Sequence, residues 1–189
     1  MSGYGLREGI IIDSYHRSHL ERSSFLTNLR WRNVVDMGQK LNIDTEFAKN
    51  VAQLASQLYD QLEKRLFPRI APEVSKANRE LLRIAAYLHE IGKFISFSQY
   101  HLHSAYMIAN SNIMGFNQNE KRLVGDIVRY HRKSFAPLQE GKFTRLKNRQ
   151  MNRINKLAAC LRIAKALNRT RRHKFTRIEI KQIAGNSTI

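Results

Sequence analysis

The stretch Ala85–Lys93, AAYLHEIGK, joins an apolar helical run to a histidine beside a carboxylate, then to a glycine and a lysine. The longer segment ANRELLRIAAYLHEIG (77–92) has the spacing of a buried helix, with Gly92 as its expected C-terminal stop. A His–Glu pair at such a helix end is a donor set suited to a divalent cation and to phosphate-ester chemistry. The same residues can equally be the shell of such a site put to another use.

Outward from this stretch the chain reads as helices. In DTEFAKNVAQLASQLYDQLEKRLF (44–67), Phe47, Val51, Leu54, Leu58 and Leu62 recur at steps of three and four and form one apolar stripe. Asp44 or Thr45 is the expected N-cap, and Pro68 and Pro72 mark a short connection. HSAYMIANS (103–111), ending near Asn112 and Gly115, is a third helix. NQNEKRLVGDIVRYHRK (117–133) and RINKLAACLRIAKALNR (153–169) are two more, and residues 19–41 hold one or two upstream. The ends differ: YGLREGIII (4–12) and FTRIEIKQI (175–183) read as strands, the latter alternating Ile178 and Ile180 with Glu179 and Lys181. Two lone strands make a poor sheet, so they are expected to belong to neighbouring domains. The expected fold is mainly α. Its divisions are residues 1–12 as the end of a preceding domain or linker, 13–170 as a helical domain, and 171–189 as a basic segment with a C-terminal strand.

Composition narrows the partners. Lys and Arg number 33 against 15 Asp and Glu, a formal net charge of +18, with a pI near 10.5. A field of this sign attracts polyanions. The single cysteine, Cys160, excludes an intrachain disulfide framework and fits a reducing compartment. No run approaches the roughly 18 apolar residues of a membrane span, and the N-terminus does not resemble a signal peptide. The expected location is the cytoplasm, with no membrane association.

Histidines gather where helices should meet. His131 follows Leu123 and Ile127 at four-residue steps and so points inward with them. His103 opens the third helix, His101 lies two residues earlier, and His89 closes the second. Side chains from facing helices of a bundle converge on one pocket, where metal and cofactor sites are made. An inward histidine is also a common core residue, and no compact H-E-x-x-H motif is present.

The run from Ala85 to Lys133, followed by FTRLKNRQMNRINKLAACLRIAKALNR (143–169), resembles the C-terminal region of the exopolyphosphatase/guanosine pentaphosphate phosphohydrolase family. GLREGIIIDSY (5–15) resembles the segment where that family's catalytic half ends. The resemblance implies a helical bundle related to the HD-type metal-dependent phosphohydrolases. It also implies that phosphoanhydride hydrolysis belongs to N-terminal actin-like domains with glycine-rich phosphate loops, a carboxylate base and a divalent cation such as Mg²⁺. No stretch of this chain matches those loops, so the chain alone is expected to be non-catalytic and to need no cofactor of its own.

By the HD comparison, His89 and Glu90 stand for the His–Asp pair and His103 and His131 for later His ligands. The first His falls at Asn50 and the late Asp at Lys165. Asn50 is a poor ligand. The Lys165 ammonium would repel a nearby divalent cation by several kcal/mol at an effective dielectric of about 20. Lys165 is instead expected to pair with Glu90, and no metal is assigned.

Basic residues concentrate late, with no acid between Glu140 and Glu179. Lys93, Arg129, Arg132, Lys133, Arg145, Lys147, Arg149, Arg162, Arg169, Arg171, Arg172 and Lys174 are the candidate polyanion contacts. Few aromatics interleave with them, which favours inorganic polyphosphate or guanosine pentaphosphate over single-stranded nucleic acid. The expected partners are such polyanions and the family's catalytic domains. A homodimer would lengthen the basic track. Two alternatives remain open at this level: an HD-type metal-dependent nucleotide phosphohydrolase and an RNA-binding module.

Overall fold

The computed structural model describes residues 21–132, 144–171 and 175–180, with side chains described from residue 28 and, in the last helix, from residue 148. Six helices follow one another among these residues: α1 (Glu21–Lys40), α2 (Thr45–Leu66), α3 (Pro72–Leu88), α4 (Tyr100–Asn110), α5 (Gln118–Tyr130) and α6 (Thr144–Leu167). A 3₁₀ turn, Ile91–Phe94, separates α3 from α4. None of these helices is long and apolar enough to cross a membrane.

Helix α3 is the hub because its second half is apolar on every side, which only a surrounded helix tolerates. Residues Ile84 to His89 are all buried, and α1, α2, α5 and α6 each pack against the helix. Pro72 at its first turn starts it, where a missing N–H costs nothing. Its C-terminal end is His89 rather than Gly92. Gly92 instead sits inside the 3₁₀ turn, where α4 crosses the backbone so closely that an added Cβ would strike the Tyr100 carbonyl oxygen and the Ser104 amide. Its own N–H donates to Ser104 Oγ at 2.8 Å.

The other caps follow local sequence. Asp44 Oδ1 accepts the Phe47 N–H at 3.0 Å and opens α2. Asn117 and Glu120 exchange side-chain and backbone bonds of 2.9 and 3.0 Å in a capping box that opens α5. Arg30 of α1 reaches Glu80 of α3 at 3.1 Å and Glu120 of α5 at 2.9 Å, tying three helices together.

The strand expected at residues 175–183 is not a strand over its described part. Residues 175–180 run extended along α2, and its side-chain amides satisfy their backbone. Asn50 and Gln53 donate to the Phe175 and Thr176 carbonyls, both at 3.1 Å. Gln57 takes Thr176 O and Ile178 N, and Gln61 takes Ile178 O and Ile180 N, at 2.7–3.0 Å. The physical reason is a match of repeats: four helical residues rise about 6 Å and two extended residues about 6.6 Å. The alternation that suggested a strand therefore pairs with a helix face. The N-terminal strand expected at residues 4–12 lies outside the described residues.

Because the Gly92 Cβ would meet backbone rather than a movable side-chain tip, Gly92→Ala is expected to destabilise the domain by about 3 kcal/mol. Thermal denaturation of the variant measures it, and an unchanged midpoint would contradict the close crossing of α4.

Candidate functional site

Burial of Glu90 organises the site. This carboxylate is 11% exposed at the turn leaving α3, and three cations close on it. Lys93 Nζ is 2.5 Å from Oε2, Arg171 Nη2 is 2.7 Å from Oε2 and Lys165 Nζ is 3.5 Å from Oε1. Burial alone would raise the carboxyl's pKa, but the neighbouring His89, Lys93 and Lys165 outweigh it and hold the value down at about 2. Lys165 also donates to the Tyr100 hydroxyl. Arg171 continues to Asp44 Oδ2 at 2.9 Å, and its guanidinium lies 4.2 Å from the Phe47 ring centroid. Its φ of 54° is left-handed, a strained conformation for arginine that these two carboxylates hold in place.

The histidines form the other wall. His89 and His131 are the C-cap residues of α3 and α5. Each Nδ1–H donates to a carbonyl three residues back, His89 to Ala86 at 2.7 Å and His131 to Val128 at 2.5 Å. A carbonyl can only accept, so the neutral ring keeps its lone pair on Nε2, and neither Nε2 has a hydrogen-bond partner among the described residues. Burial lowers His89 to about 4, helped by the Lys165 charge. Burial, with His89 next, lowers His131 to about 2.

The third imidazole beside this pair is His101, 6.4 Å from His131, not the expected His103. Burial on α4 falls on Tyr100, His101, Ser104 and Ile108, one helical face, and His103 lies off it, half-buried over Gly92. Asn50 is likewise turned away to Phe175, and the α2 side chain set against His89 is Phe47, ring centroids 5.8 Å apart.

An orphaned Nε2 on a histidine whose Nδ1 is anchored is the donor arrangement a metal ligand adopts. The rest of the set does not match. Among the described residues no three His, Cys, Asp or Glu side chains converge as a metal requires, and the Glu90 oxygens already face Lys93, Lys165 and Arg171. The residues do not fit a divalent cation.

They fit an anion better. A cavity of about 560 Å³ is lined by Arg132, Arg162, Lys165, Arg169 and Arg171, with Glu90 its sole carboxylate among the described residues and His131 at its wall. Arg162 is aimed by two bonds to the last carbonyls of α5, His131 O at 2.9 Å and Tyr130 O at 3.0 Å. Arg132 lies 4.9 Å from the Tyr100 ring centroid. Of the other candidate contacts, Lys93 lines an adjoining cavity instead, and Arg129 and Arg149 are exposed and do not line this one. The side chains of Arg145 and Lys147, and the whole of Lys133, Arg172 and Lys174, lie outside the described residues. Sequence reasoning missed Phe47, Tyr100 and Asp44. Phe47 belongs to the α2 stripe and Asp44 caps that helix, so each already had a complete local explanation.

The Ppx/GppA phosphatase domain III family model matches residues 29–189. The chain belongs to this family. Over 146 residues it is 30% identical to a guanosine-5'-triphosphate,3'-diphosphate pyrophosphatase of Pseudoalteromonas translucida (strain TAC 125). That match covers 77% of this chain and 27% of the relative, so the chain spans about a quarter of that protein's length.

Because Glu90 keeps two cations when Lys165 is lost, Lys165→Met is expected to cost only about 1 kcal/mol. Glu90→Gln, which leaves three cations facing one another, should cost more, about 2–4 kcal/mol. Thermal midpoints of both variants decide the order, and the reverse order would contradict the role of Glu90 as hub.

Acid should weaken the fold through the histidines. Their folded pKa values lie below the unfolded 6.5, so the unfolded chain binds protons first. Their contribution is complete above about pH 6.5 and falls toward about pH 4 for His89 and about pH 2 for His131, by about 2 kcal/mol for each ring at pH 5. His131→Gln should roughly halve the slope of stability against pH between about 5 and 6.5, as read by denaturant titration.

Proposed function

We propose that this chain is a helical domain that holds phosphate-chain polyanions for the phosphoanhydride chemistry of its family and has no metal-dependent hydrolytic centre of its own. The observation that carries this reading is the cavity of Arg132, Arg162, Lys165, Arg169 and Arg171, in which protein cations take the place beside Glu90 that a metal would need. The HD comparison made from the sequence accords with it, since histidines and a carboxylate meet in the pocket while the set of donors is incomplete. The net charge of +18 supplies a long-range field that gathers a polymer to the surface before any close contact forms.

Chemically, the arginines offer planar forks for phosphate oxygens and Lys165 a point charge. Arg162 is already oriented by the end of α5, so little ordering is needed on binding. The relative's name places a guanosine polyphosphate among the substrates of its enzyme, and inorganic polyphosphate presents the same repeating anion. The hydrolytic step and its Mg²⁺ belong to the family's catalytic domains. For this chain we assign binding and presentation of substrate. The site would sit in the cytoplasm, where these phosphates occur.

Titration with long-chain polyphosphate tests the proposal. If about five cations are engaged, affinity should fall about a hundredfold between about 50 and about 200 mM salt. Arg132→Ala with Arg169→Ala, both exposed, should weaken binding without lowering the melting point. Affinity indifferent to salt, or tighter binding of structured RNA at equal charge, would overturn it.

A further inference from the structure

Lys165 differs in kind from the other cations of the cationic cavity. Arg132, Arg162, Arg169 and Arg171 carry guanidinium groups, which stay protonated and do not act as nucleophiles. Among the described residues, Lys165 is the one amine that lines this cavity. Its side chain is 26% exposed, partly dry yet within reach of a small molecule. His131 also carries a nitrogen lone pair at this wall, but that residue is buried.

Lys165 is also the most loosely held of the three cations on Glu90. Its Nζ is 3.5 Å from the carboxylate, against 2.5 Å for Lys93 and 2.7 Å for Arg171. Glu90 therefore keeps two close partners if the Lys165 charge is lost. Burial lowers the Lys165 ammonium below the usual lysine range, Glu90 opposes that shift, and Arg132 and Arg171 reinforce it. A lysine in such surroundings is a free amine for more of the time than a solvated one, and a desolvated amine is a nucleophile. Its hydrogen bond goes to the Tyr100 hydroxyl, and a neutral amine that donates one hydrogen keeps its lone pair for attack.

We propose that Lys165 is a site of covalent acylation by acyl phosphates, whose phosphate group is seated by Arg132, Arg169 and Arg171 with the acyl carbon toward the amine. The seating rests on the phosphate reading given above. The Lys165 nitrogen attacks the acyl carbon, an N–C bond forms, and the bond from that carbon to the phosphate oxygen breaks. Inorganic phosphate leaves with the electron pair and takes up the proton that the amine releases, so atoms and charge balance. The amide product is uncharged. It removes one of the five cations of the cavity, while Lys93 and Arg171 continue to hold Glu90. Acylation thus weakens the hold on phosphate chains and leaves the fold in place, a covalent control on binding.

Treatment of the unmodified chain with acetyl phosphate, followed by peptide mass mapping, tests the proposal against Lys49, whose side chain is 54% exposed. Lys165 is expected to be acetylated about tenfold faster than Lys49. A neutral donor, the N-hydroxysuccinimide ester of acetate, should reverse the order, because only exposure guides it. Tripolyphosphate, or the double variant Arg132→Ala/Arg169→Ala, should slow the reaction of acetyl phosphate at Lys165 but not at Lys49. Lys165→Gln, an uncharged stand-in for the product, should bind long-chain polyphosphate about tenfold more weakly at about 100 mM salt. Lys49 ahead of Lys165 with acetyl phosphate, or Lys165 ahead with both donors, would overturn the inference while leaving the polyanion proposal intact. No binding of tripolyphosphate at low salt, read by calorimetry on the same chain, would overturn the polyanion proposal and the seating with it.

Discussion

A carboxylate taken out of water must be met by opposite charge, and the way Glu90 is met decides how the ends of the helices come together. Its partners come from different parts of the chain: Lys93 from the 3₁₀ turn, Lys165 from the last turn of α6 and Arg171 from just beyond that helix. Arg171 then reaches Asp44, the residue that caps α2. One buried charge thus fastens the exit of α3 to the exit of α6 and the entry of α2. A divalent cation at this point would compete with all three side chains for the same two oxygens and be repelled by their charge.

The histidines fit this arrangement as neutral groups. Both are C-cap residues whose Nδ1–H satisfies a carbonyl at a helix end, where such carbonyls lack helical partners. Burial and the nearby ammonium of Lys165 both oppose protonation of His89. The pocket therefore has an uncharged wall of imidazoles and a cationic wall of arginines and lysine. Arg162 is anchored on the α5 carbonyls and Arg171 on Asp44, which holds both guanidinium groups in place.

The chain is a member of the Ppx/GppA domain III family. The ends of α3, α5 and α6 come together at this pocket. Anchored imidazoles and a central carboxylate meet there with two cations, Lys165 on α6 and Arg171 beyond it. A second cavity, with Phe94 and Phe97 in its lining, adjoins the cationic one.

Much of the fold could be read from residue order, because its causes are local. The stripe from Phe47 to Leu62, the prolines after α2, the apolar run ending at His89 and the capping pair Asn117–Glu120 each act within about one or two helical turns. The charge excess, the concentration of Arg and Lys in the last third, and the Lys165–Glu90 conflict with a metal were equally visible, since they depend on composition and a family pattern. What only the tertiary structure decided depends on contacts between distant residues. Gly92 proved to be a crossing point rather than a helix stop, because α4 fills the space its Cβ would need. The 175–180 segment lies on a ladder of α2 amides 117–125 residues away, so its alternation could not reveal its partner. His101 rather than His103 faces His131 because the start of α4, at Tyr100, sets which face turns inward. The cage around Glu90 draws on residues from 44 to 171. Local spacing names the ionisable groups, and the fold determines which of them share a volume small and dry enough for their charges to matter.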